Sequence, residues 1–362
     1  MLQDLNVAYI GTVYPHHARV DLEEIKRMGC TSINLCMNEA DWTYYRFSRH
    51  EIRKTAKELG LNVYLNFHGF GAFAATFPGH MYQMEHPDAV QVTNKGNKGE
   101  YVCCPNNQEF EGWLLGMTAE MIRDIEPEGV FWDEPRFAPV AGYPEEWTCY
   151  CGHCREAFER QLGYEMPDQL NEDVIAFRQS TLLGFVDRLM NAAKGIDPAI
   201  ENILCLMSYD RDQDGNHSGG WYGVVDWEPF VALESVDVFA VDPYWIHERD
   251  QAYFERNTKE AIALSRRYGK ACQIWVQSIW IVPGKERHIG ETIRWAEALG
   301  ADRIAVWAFR GESGSHYLNW GADPEACWQQ VVDAYSELSA RMGHDAEAEA
   351  VEEEEEEAYD NR

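Results

Sequence analysis

The sequence predicts an α/β protein built as a single (β/α)8 barrel, the TIM barrel. Short apolar runs alternate with longer amphipathic stretches along the chain, which is the pattern of repeated βα units around a parallel sheet. Eight such apolar runs are present, the number that closes this barrel. The length of 362 residues is one that these barrels commonly reach as one domain.

The predicted elements alternate in the expected order. The predicted strands are Asn6–Thr12, Ser32–Met37, Val63–Phe67, Gly129–Trp132, Ile203–Met207, Val236–Val241, Ala271–Val276 and Arg303–Ala308. The predicted helices are Asp21–Met28, Ser48–Leu59, Gln108–Ile125, Val174–Ala193, Tyr253–Tyr268, Arg287–Leu299 and Pro324–Met342. Gly29, Gly60 and Gly300 each follow a helical pattern directly, as glycine C-caps do.

Two segments depart from this alternation. Residues 72–101 lack a clean hydrophobic period and contain Gly, Pro, Asn and His; we expect an insertion without regular structure that serves as a binding loop or lid. The residues after Met342 are acidic and of low complexity, which is typical of a disordered segment. The predicted organisation is therefore a barrel over residues 1–343, with a Cys-rich loop inserted after the fourth strand, and a disordered acidic tail over residues 344–362.

The net charge of the chain limits the classes of molecule that it is expected to bind. The net charge is −30, with 9 Lys against 22 Arg. The tail explains only part of the charge, since residues 345–362 contain ten acids and one Arg. An acidic surface poor in Lys is typical of proteins kept soluble in concentrated salt, so we expect a halophilic origin. Such a surface repels phosphates, and a nucleic-acid partner is disfavoured.

The sequence also bears on location. It contains no run of about 18 apolar residues, so no membrane span is expected. Its first residues lack the basic and apolar regions of a secretory signal. We therefore expect a cytoplasmic protein that acts away from the membrane; a homo-oligomer is compatible with the sequence.

The candidate site follows from the strand assignment, because TIM-barrel active sites lie at the C-terminal ends of the strands. Polar and aromatic residues just beyond the predicted strands are therefore candidates for substrate binding: His16, His17, Asp41, Trp42, His68, Asp210, Tyr244, Gln277, Trp307, Arg310 and Glu312. Carboxylates mixed with Trp and Tyr suit a carbohydrate, whose C–H faces stack on rings while its hydroxyls form hydrogen bonds. Some of these aromatic residues are expected only to pack helices against strands.

Asp133 and Glu134 follow the fourth predicted strand directly. Cleavage of a glycosidic bond normally uses two carboxyl groups, one as proton donor and one as nucleophile or base. Adjacent residues at a strand end point in different directions, so a partner from another strand is expected: Asp242, Asp210 or Glu312. The alternative is that these acids only cap helices or pair with arginines.

A second group of candidate functional residues is the cysteine motif Cys149-x-Cys151-x2-Cys154. Three thiolates at this spacing indicate a zinc site, and tetrahedral Zn²⁺ takes a fourth ligand. Cys103 or Cys104, in the loop after the third predicted barrel strand, could supply it. Four thiolates would form a closed structural site that fixes two long loops. Free or disulfide-bonded cysteines are the alternative, and disulfides are rare in a reducing compartment.

Three histidines leave a further alternative open. His16, His17 and His68 lie at predicted strand ends and could bind a catalytic metal, as in metal-dependent barrel hydrolases. Their spacing is not diagnostic, and hydrogen bonding to substrate is the preferred interpretation.

The chain resembles the barrel of glycoside hydrolase family 42 β-galactosidases and related glycosidases. The resemblance rests on three segments: Cys104-Pro-Asn-Asn, Trp132-Asp-Glu-Pro, and Cys149-Tyr-Cys-Gly-His-Cys-Arg-Glu-Ala-Phe-Glu-Arg-Gln-Leu-Gly163. It implies a structural zinc bound by Cys104, Cys149, Cys151 and Cys154. It also implies that Glu134 is the general acid/base. Outside residues 104–163 the resemblance is only architectural.

The chain departs from the family at the seventh strand, where the family places its nucleophilic Glu and this chain has Gln277. An amide cannot act as that nucleophile. Glu286 or Glu312 could supply the carboxylate instead. Alternatively, the chain resembles retaining α-glycosidases, with Asp133 as nucleophile and Asp242 as acid/base. A third interpretation is a barrel that binds glycans without hydrolysis.

The sequence therefore predicts an O-glycosidase with catalytic residues Glu134, Asp133 and Asp242 and one structural Zn²⁺. The sugar, the anomeric configuration and the stereochemical outcome are not predicted. The outcome depends on the separation of the carboxyl groups, which is a spatial quantity.

Overall fold

The computed structural model describes residues 2–10, 13–71, 81–210, 215, 218–312 and 323–360. The side chains of residues 69, 100, 101, 312 and 344–360 lie outside this description.

Eight parallel strands close into a barrel in the order β1-β10-β9-β8-β7-β6-β3-β2. The strands are β1 Asp4–Tyr9, β2 Ser32–Asn38, β3 Asn62–Gly69, β4 Val90–Val92, β5 Lys98–Cys103, β6 Gly129–Asp133, β7 Glu201–Leu206, β8 Val238–Val241, β9 Ala271–Gln277 and β10 Arg303–Trp307. Every predicted strand overlaps one barrel strand, and the predicted TIM barrel is confirmed. The fourth, sixth and seventh strands of the barrel are β6, β8 and β9.

The helices surround the barrel. They are α1 Pro15–Arg27, α2 Glu39–Tyr44, α3 Arg46–Glu58, α4 Met81–Glu85, α5 Gln108–Ile125, α6 Gly152–Leu162, α7 Glu172–Ile196, α8 Gly219–Tyr222, α9 Glu228–Val231, α10 Gln251–Arg267, α11 Arg287–Leu299 and α12 Pro324–Asp360, with a short 3₁₀ helix at Phe309–Glu312. The seven predicted helices correspond to α1, α3, α5, α7, α10, α11 and α12. The disorder expected for residues 344–362, and the domain division at residue 343, stay predictions.

Side chains fill the interior of the barrel. The Phe131 and Trp275 rings lie with centroids 4.9 Å apart, and Trp275 lies 5.8 Å from Trp307 at the C-terminal end. At the N-terminal end, Arg303 forms a bidentate ion pair with Glu201 at 2.8–2.9 Å beside a cavity of about 570 Å³. The contacts among Phe131, Trp275 and Trp307 show that side chains fill the interior of the barrel, as in other TIM barrels.

The segment after β3 differs from the prediction. Residues 72–80 lie outside the described part of the chain, but the rest is not without regular structure: α4 is followed by an antiparallel hairpin of β4 and β5. The turn is stabilised by Thr93, whose Oγ1 accepts hydrogen bonds from the backbone N–H groups of Lys95 and Asn97 at 3.3 and 3.1 Å, and Gly96 has φ +85°. A three-residue strand is too short for its alternation to be recognised in sequence. The role of this segment as a lid stays a prediction.

Within the residues that the structure describes, no helix combines the length and the apolar character that crossing a membrane would require.

Candidate active site: a carboxyl cluster at the end of the barrel

Two buried aspartates lie at the C-terminal end of the barrel. Asp133 ends β6 and shares the inward face of that strand with Phe131, because residues two apart in a strand point to the same side. Its Oδ2 accepts a hydrogen bond from Nδ2 of Asn66 at 3.1 Å. Asp242 follows β8, and its Oδ1 accepts a hydrogen bond from the backbone N–H of Ser208 at 3.1 Å. The exposed fractions are only 5% for Asp133 and 9% for Asp242.

Glu134 joins this pair through its backbone conformation. Its φ is +48°, in the left-handed region, and its N–H donates to the carbonyl oxygen of Cys205 at 3.1 Å. The left-handed turn interrupts the alternation of the strand and brings the Glu134 carboxyl close enough to Asp242 for its charge to raise the pKa of that group. Its Oε2 also pairs with the Arg136 guanidinium. Asp133, Glu134 and Asp242 therefore form one cluster, called the carboxyl cluster below.

The cluster holds protons at neutral pH. Burial raises the pKa of Asp133 to about 8, helped by the charge of Glu134 and opposed by Asn66 and Arg136. Burial also raises the pKa of Asp242 well above its usual range, and the charge of the neighbouring Glu134 adds to that. Neighbouring carboxyl groups in a buried site cannot all ionise. A site with these properties can donate a proton to a bound substrate.

Tyrosines surround the cluster, and two of them, Tyr222 and Tyr253, were not predicted from the sequence. Burial raises the pKa values of both above the usual range of tyrosine, and the charge of Asp242 acts on both in the same direction. Tyr244, a predicted site residue, is affected similarly by burial and then by Asp242. Tyr222 lies on α8, far in sequence from any strand end, so no strand-end rule could have identified it.

The aromatic rings of His68 and Trp307 lie at the same end of the barrel as the carboxyl cluster. His68 is 2% exposed, its ring centroid lies 5.4 Å from that of Trp307, and its N–H donates to Oδ1 of Asn66 at 2.8 Å. Asn66 therefore connects the backbone of His68 with the carboxyl group of Asp133. The structure thus places both predicted residues, His68 and Trp307, at the end of the barrel. Asn66 itself could have been found from its inward position in β3.

Gln277 ends β9 and is 2% exposed. Its Oε1 accepts a hydrogen bond from the backbone N–H of Ile246, and its Nε2 donates to the carbonyl oxygen of Ile279, both at 3.0 Å. This amide therefore joins the loops that follow β8 and β9. A glutamate here would place an acceptor against a carbonyl oxygen, so the surroundings suit an amide.

Asp41 and Trp42 are engaged within the fold. Asp41 forms a capping box with Asn38, with hydrogen bonds of 2.9 and 3.1 Å, and pairs with the buried guanidinium of Arg49. Trp42 is 5% exposed, and Arg46 lies 4.1 Å from its ring centroid. Substrate binding by these two residues stays a prediction.

The other predicted residues lie nearer the surface. Arg310 pairs with Glu24 at 2.7 Å, and Arg256 lies 3.8 Å from Asp210. His16 and His17 are exposed in the first turn of α1, with ring centroids 4.1 Å apart. The side chain of the remaining candidate, Glu312, lies outside the described residues. Their roles in binding also stay predictions.

The four-cysteine site has the geometry of a metal centre. The Sγ atoms of Cys104, Cys149, Cys151 and Cys154 all lie within 4.8 Å of one another, and all four residues are buried. Cys104 Sγ lies 3.4 Å from that of Cys154 and 3.5 Å from that of Cys151. Sulfur atoms bound tetrahedrally at about 2.3 Å would lie about 3.8 Å apart, so the quartet fits a metal ion closely. Among the described residues it is the one group of His, Cys, Asp and Glu that could hold a metal, so His16, His17 and His68 do not form a second one.

The choice of the fourth cysteine, which spacing alone left open, falls on Cys104. Cys103 is also buried but does not belong to the group of four sulfur atoms. All ten cysteines lie in the described part of the chain and are free of disulfides.

The four-cysteine site is connected to the loop that follows Glu134. Oγ1 of Thr148, the residue before Cys149, donates to the carbonyl oxygen of Ala138 at 2.6 Å. The N–H of Ala138 donates to Oε1 of Gln91 in β4 at 2.8 Å. A metal bound by the quartet would therefore fix both the hairpin and the loop that carries Glu134, as the two-loop prediction implied.

Comparisons with known proteins bear on the fold. No model of a protein family matches the chain, and no curated protein matches it in sequence. Solved structures do match. A GH42 β-galactosidase from G. stearothermophilus superposes with a TM-score of 0.70 at 15% identity, covering 94% of this chain and 57% of that one. A polyextremophilic β-galactosidase from the Antarctic haloarchaeon Halorubrum lacusprofundi gives 0.68 at 13% identity, covering 93% and 58%. The glycoside hydrolase domain of PgaB from Bordetella bronchiseptica gives 0.59 at 11% identity, covering 85% and 94%.

The fold is that of TIM-barrel glycoside hydrolases. The architecture implied by the resemblance to family 42 is therefore confirmed. The chain spans less than two thirds of the two β-galactosidase chains and nearly all of the PgaB domain. At these identities the likeness concerns the fold, and residue roles depend on the geometry described above.

Proposed function

We propose that the chain is a glycoside hydrolase that cleaves an O-glycosidic bond at the carboxyl cluster, with Glu134 as the proton donor. The observation that carries the proposal is the cluster that Glu134 forms with the buried Asp242 and the buried, largely protonated Asp133 at one end of the barrel. The cluster lies where TIM barrels build their active sites, and the neighbouring tryptophan and tyrosine rings suit a carbohydrate. The superposed β-galactosidases and the PgaB domain support the same class of reaction.

The three carboxyl groups would have different roles in the reaction. Glu134 is partly exposed, whereas Asp133 and Asp242 are buried, so Glu134 is the group that would reach the glycosidic oxygen. Asp242 would share its proton and stabilise the carboxylate left after transfer. Asp133, held by Asn66, would donate a hydrogen bond to a substrate hydroxyl while protonated. General acid catalysis of this kind contributes about 10²–10⁴-fold.

The second half of the reaction needs a group on the other side of the sugar. Retaining enzymes place the two carboxyl groups about 5–5.5 Å apart, and inverting enzymes about 6.5–9.5 Å. The charge of Glu134 acts on the pKa of Asp242, so we propose that these two carboxyl groups act together as one acid unit and not from opposite sides of the sugar. We propose that a water molecule attacks the sugar from that side and releases its proton to the solvent.

Two alternatives remain from the sequence. In the retaining α-glycosidase mechanism Asp133 would be the nucleophile and Asp242 the acid/base. The raised pKa of Asp133 opposes that mechanism, because a nucleophilic carboxylate must be ionised. A glycan-binding barrel without hydrolysis is favoured by one observation, the complete engagement of Gln277 with backbone groups.

We further propose that the quartet binds a structural Zn²⁺. Four thiolates leave no open coordination position for substrate, and such a site stabilises the fold. The halophilic character, the cytoplasmic location, the homo-oligomer and the lack of a nucleic-acid partner remain predictions from the sequence.

The experiment is a screen of α- and β-linked aryl glycosides at molar salt. The variants are Glu134→Gln, Asp242→Asn and Asp133→Asn, and the control is Glu165→Gln, an exposed glutamate of the loop after α6. We expect turnover by the wild type and the control, and loss of it in the Glu134 and Asp242 variants. A folded wild type that binds sugars without hydrolysing any glycoside would favour the binding protein.

A further inference from the structure

The guanidinium of a buried arginine on α7 is hydrogen-bonded to the backbone of α8. Arg178 on α7 is 1% exposed. Its Nη1 donates to the carbonyl oxygen of Gly220 and its Nη2 to that of Trp221, the latter at 3.2 Å, while its Cζ lies 4.8 Å from the ring centroid of Phe137. Among the described residues Nε has no hydrogen-bond partner. Burial lowers the pKa of Arg178 only to about 10, so the group is charged at neutral pH.

A buried charge needs compensation. No ion pair with a carboxylate is present for Arg178 among the described side chains, and the groups that raise its pKa are Tyr143, Cys149 and Cys154. The helix of Arg178 is also tied to the cysteines directly, since Nδ2 of Asn106 lies 3.3 Å from Sγ of Cys154 and 3.5 Å from Oγ1 of Thr181 on α7. A divalent metal bound by four thiolates leaves a net charge of about −2 on the site. The Arg178 guanidinium would offset part of this charge, as groups surrounding a metal site commonly do.

Through α8, Arg178 is also connected to the surroundings of the carboxyl cluster. Gly220 and Trp221 precede Tyr222 in α8, and the carbonyl oxygen of Tyr222 accepts a hydrogen bond from the N–H of Phe137 at 2.9 Å. The approach is close: a Cβ at Gly223 would lie 2.5 Å from Cδ2 of Phe137. The charged groups that act on Tyr222 are Arg136, Glu134, Asp242 and Arg249. The charge of Asp133 also raises the pKa of Asp242. In turn, the charge of Asp242 raises the pKa values of Tyr244, Tyr253 and Cys205.

We propose that Arg178 is a positioning residue that couples the four-cysteine metal site to the carboxyl cluster. It balances the charge of the metal-bound thiolates, and it holds α8 so that Tyr222 stays within reach of the charges of Glu134 and Asp242. Arg178 itself does not contact substrate. The proposal rests on the proposed function only in treating Glu134 and Asp242 as catalytic.

The test uses two substitutions that separate charge from geometry. Arg178→Met removes both the charge and the two Nη groups that donate hydrogen bonds to α8. Arg178→Lys keeps the charge, but its single ammonium group does not reproduce the paired hydrogen bonds of the guanidinium. The matched control is Arg155→Met, since Arg155 is exposed beside the cysteine loop, 5.5 Å from the ring centroid of Tyr150. All variants are made in the full, zinc-loaded chain.

Two readouts require no turnover. Zinc affinity is measured by competition with a chromogenic chelator. The environment of the carboxyl cluster is followed by ¹⁹F NMR of a 3-fluorotyrosine in place of Tyr222, titrated with pH. We expect Arg178→Met to weaken zinc binding about 10–100-fold and to move the titration midpoint by about one pH unit. Arg178→Lys should move the midpoint while zinc affinity stays within a few fold, and Arg155→Met should change neither.

An Arg178→Met protein with unchanged zinc affinity and an unchanged midpoint would overturn the proposal, even if its thermal stability fell, because ordinary packing would then explain the residue. Should Arg178→Met not fold, Arg178→Lys decides: an unchanged midpoint overturns the coupling. Absence of glycoside turnover in the wild type would remove the proposed function but leave both readouts interpretable.

Discussion

Replacing Asp133 with Asn should make the protein more stable at neutral and alkaline pH while it impairs the site. The pKa of Asp133 rises from an ordinary 3.8 to about 8 in the folded chain. Between these values the folded state holds a proton that the unfolded state has lost, so the free energy of unfolding falls as pH rises through this window. At pH 7 the cost corresponds to about 4 kcal/mol, an upper bound because the neighbouring carboxyl groups titrate together.

An Asn side chain avoids this cost, since it is uncharged and its carbonyl oxygen can still accept the hydrogen bond from Asn66. The assay is urea unfolding of the wild type and Asp133→Asn at several pH values from 5 to 8 at constant high salt. Asp168→Asn, a substitution at an exposed loop position, serves as the control.

The difference between variant and wild type is the quantity to follow, because Asp242 and Glu39 also have raised pKa values and contribute to the slope of the wild type. We expect this difference to be smallest at pH 5 and to grow by at most about 1.4 kcal/mol per pH unit towards pH 8, in favour of the variant. A difference that stays constant over this range would show that Asp133 is already ionised and would refute the protonated cluster.

Three further predictions concern the groups around the site. Gln277→Leu should lower the free energy of unfolding by about 1–3 kcal/mol, because it leaves two buried backbone groups without partners; an unchanged urea midpoint would contradict this. Cys104→Ser should lose zinc and show a clearly lower thermal midpoint, whereas Cys103→Ser should keep its zinc, both measured by metal analysis and calorimetry; equal zinc contents would speak against the assigned quartet. Arg303→Met should cost about 1–3 kcal/mol by leaving the partly buried Glu201 carboxylate without its charged hydrogen-bond partner, and adding Glu201→Gln should restore part of that in urea unfolding; a double variant no more stable than the single one would argue against the pair.

The barrel could be predicted because its strands are buried on both faces and therefore appear as short apolar runs, and because its long helices carry a regular apolar stripe. The bounds of α5 and α11 agree with the predicted ones for this reason. The short elements could not be predicted in the same way. α2 and α8 have six and four residues, and β4 has three, so none shows a full hydrophobic period.

The candidate site was predicted in part. The rule that places active sites at strand ends located Asp133, Glu134 and Asp242 correctly at one end of the barrel. It did not predict that Glu134 turns towards Asp242, because that depends on a left-handed backbone at a non-glycine residue. Tyr222 and Arg178 were missed because their positions depend on how α8 packs against α7 and on the loop after β6, which no local pattern records.

The most direct test of the central claim is the dependence of hydrolysis on the leaving group in Glu134→Gln. A poor leaving group needs protonation, whereas a dinitrophenolate leaves without it, so the variant should lose about 10²–10⁴-fold in kcat/KM on unactivated aryl glycosides and little on dinitrophenyl glycosides. This pattern would identify Glu134 as the general acid. An equal loss on both substrates, in a variant that is folded and loaded with zinc, would contradict the account.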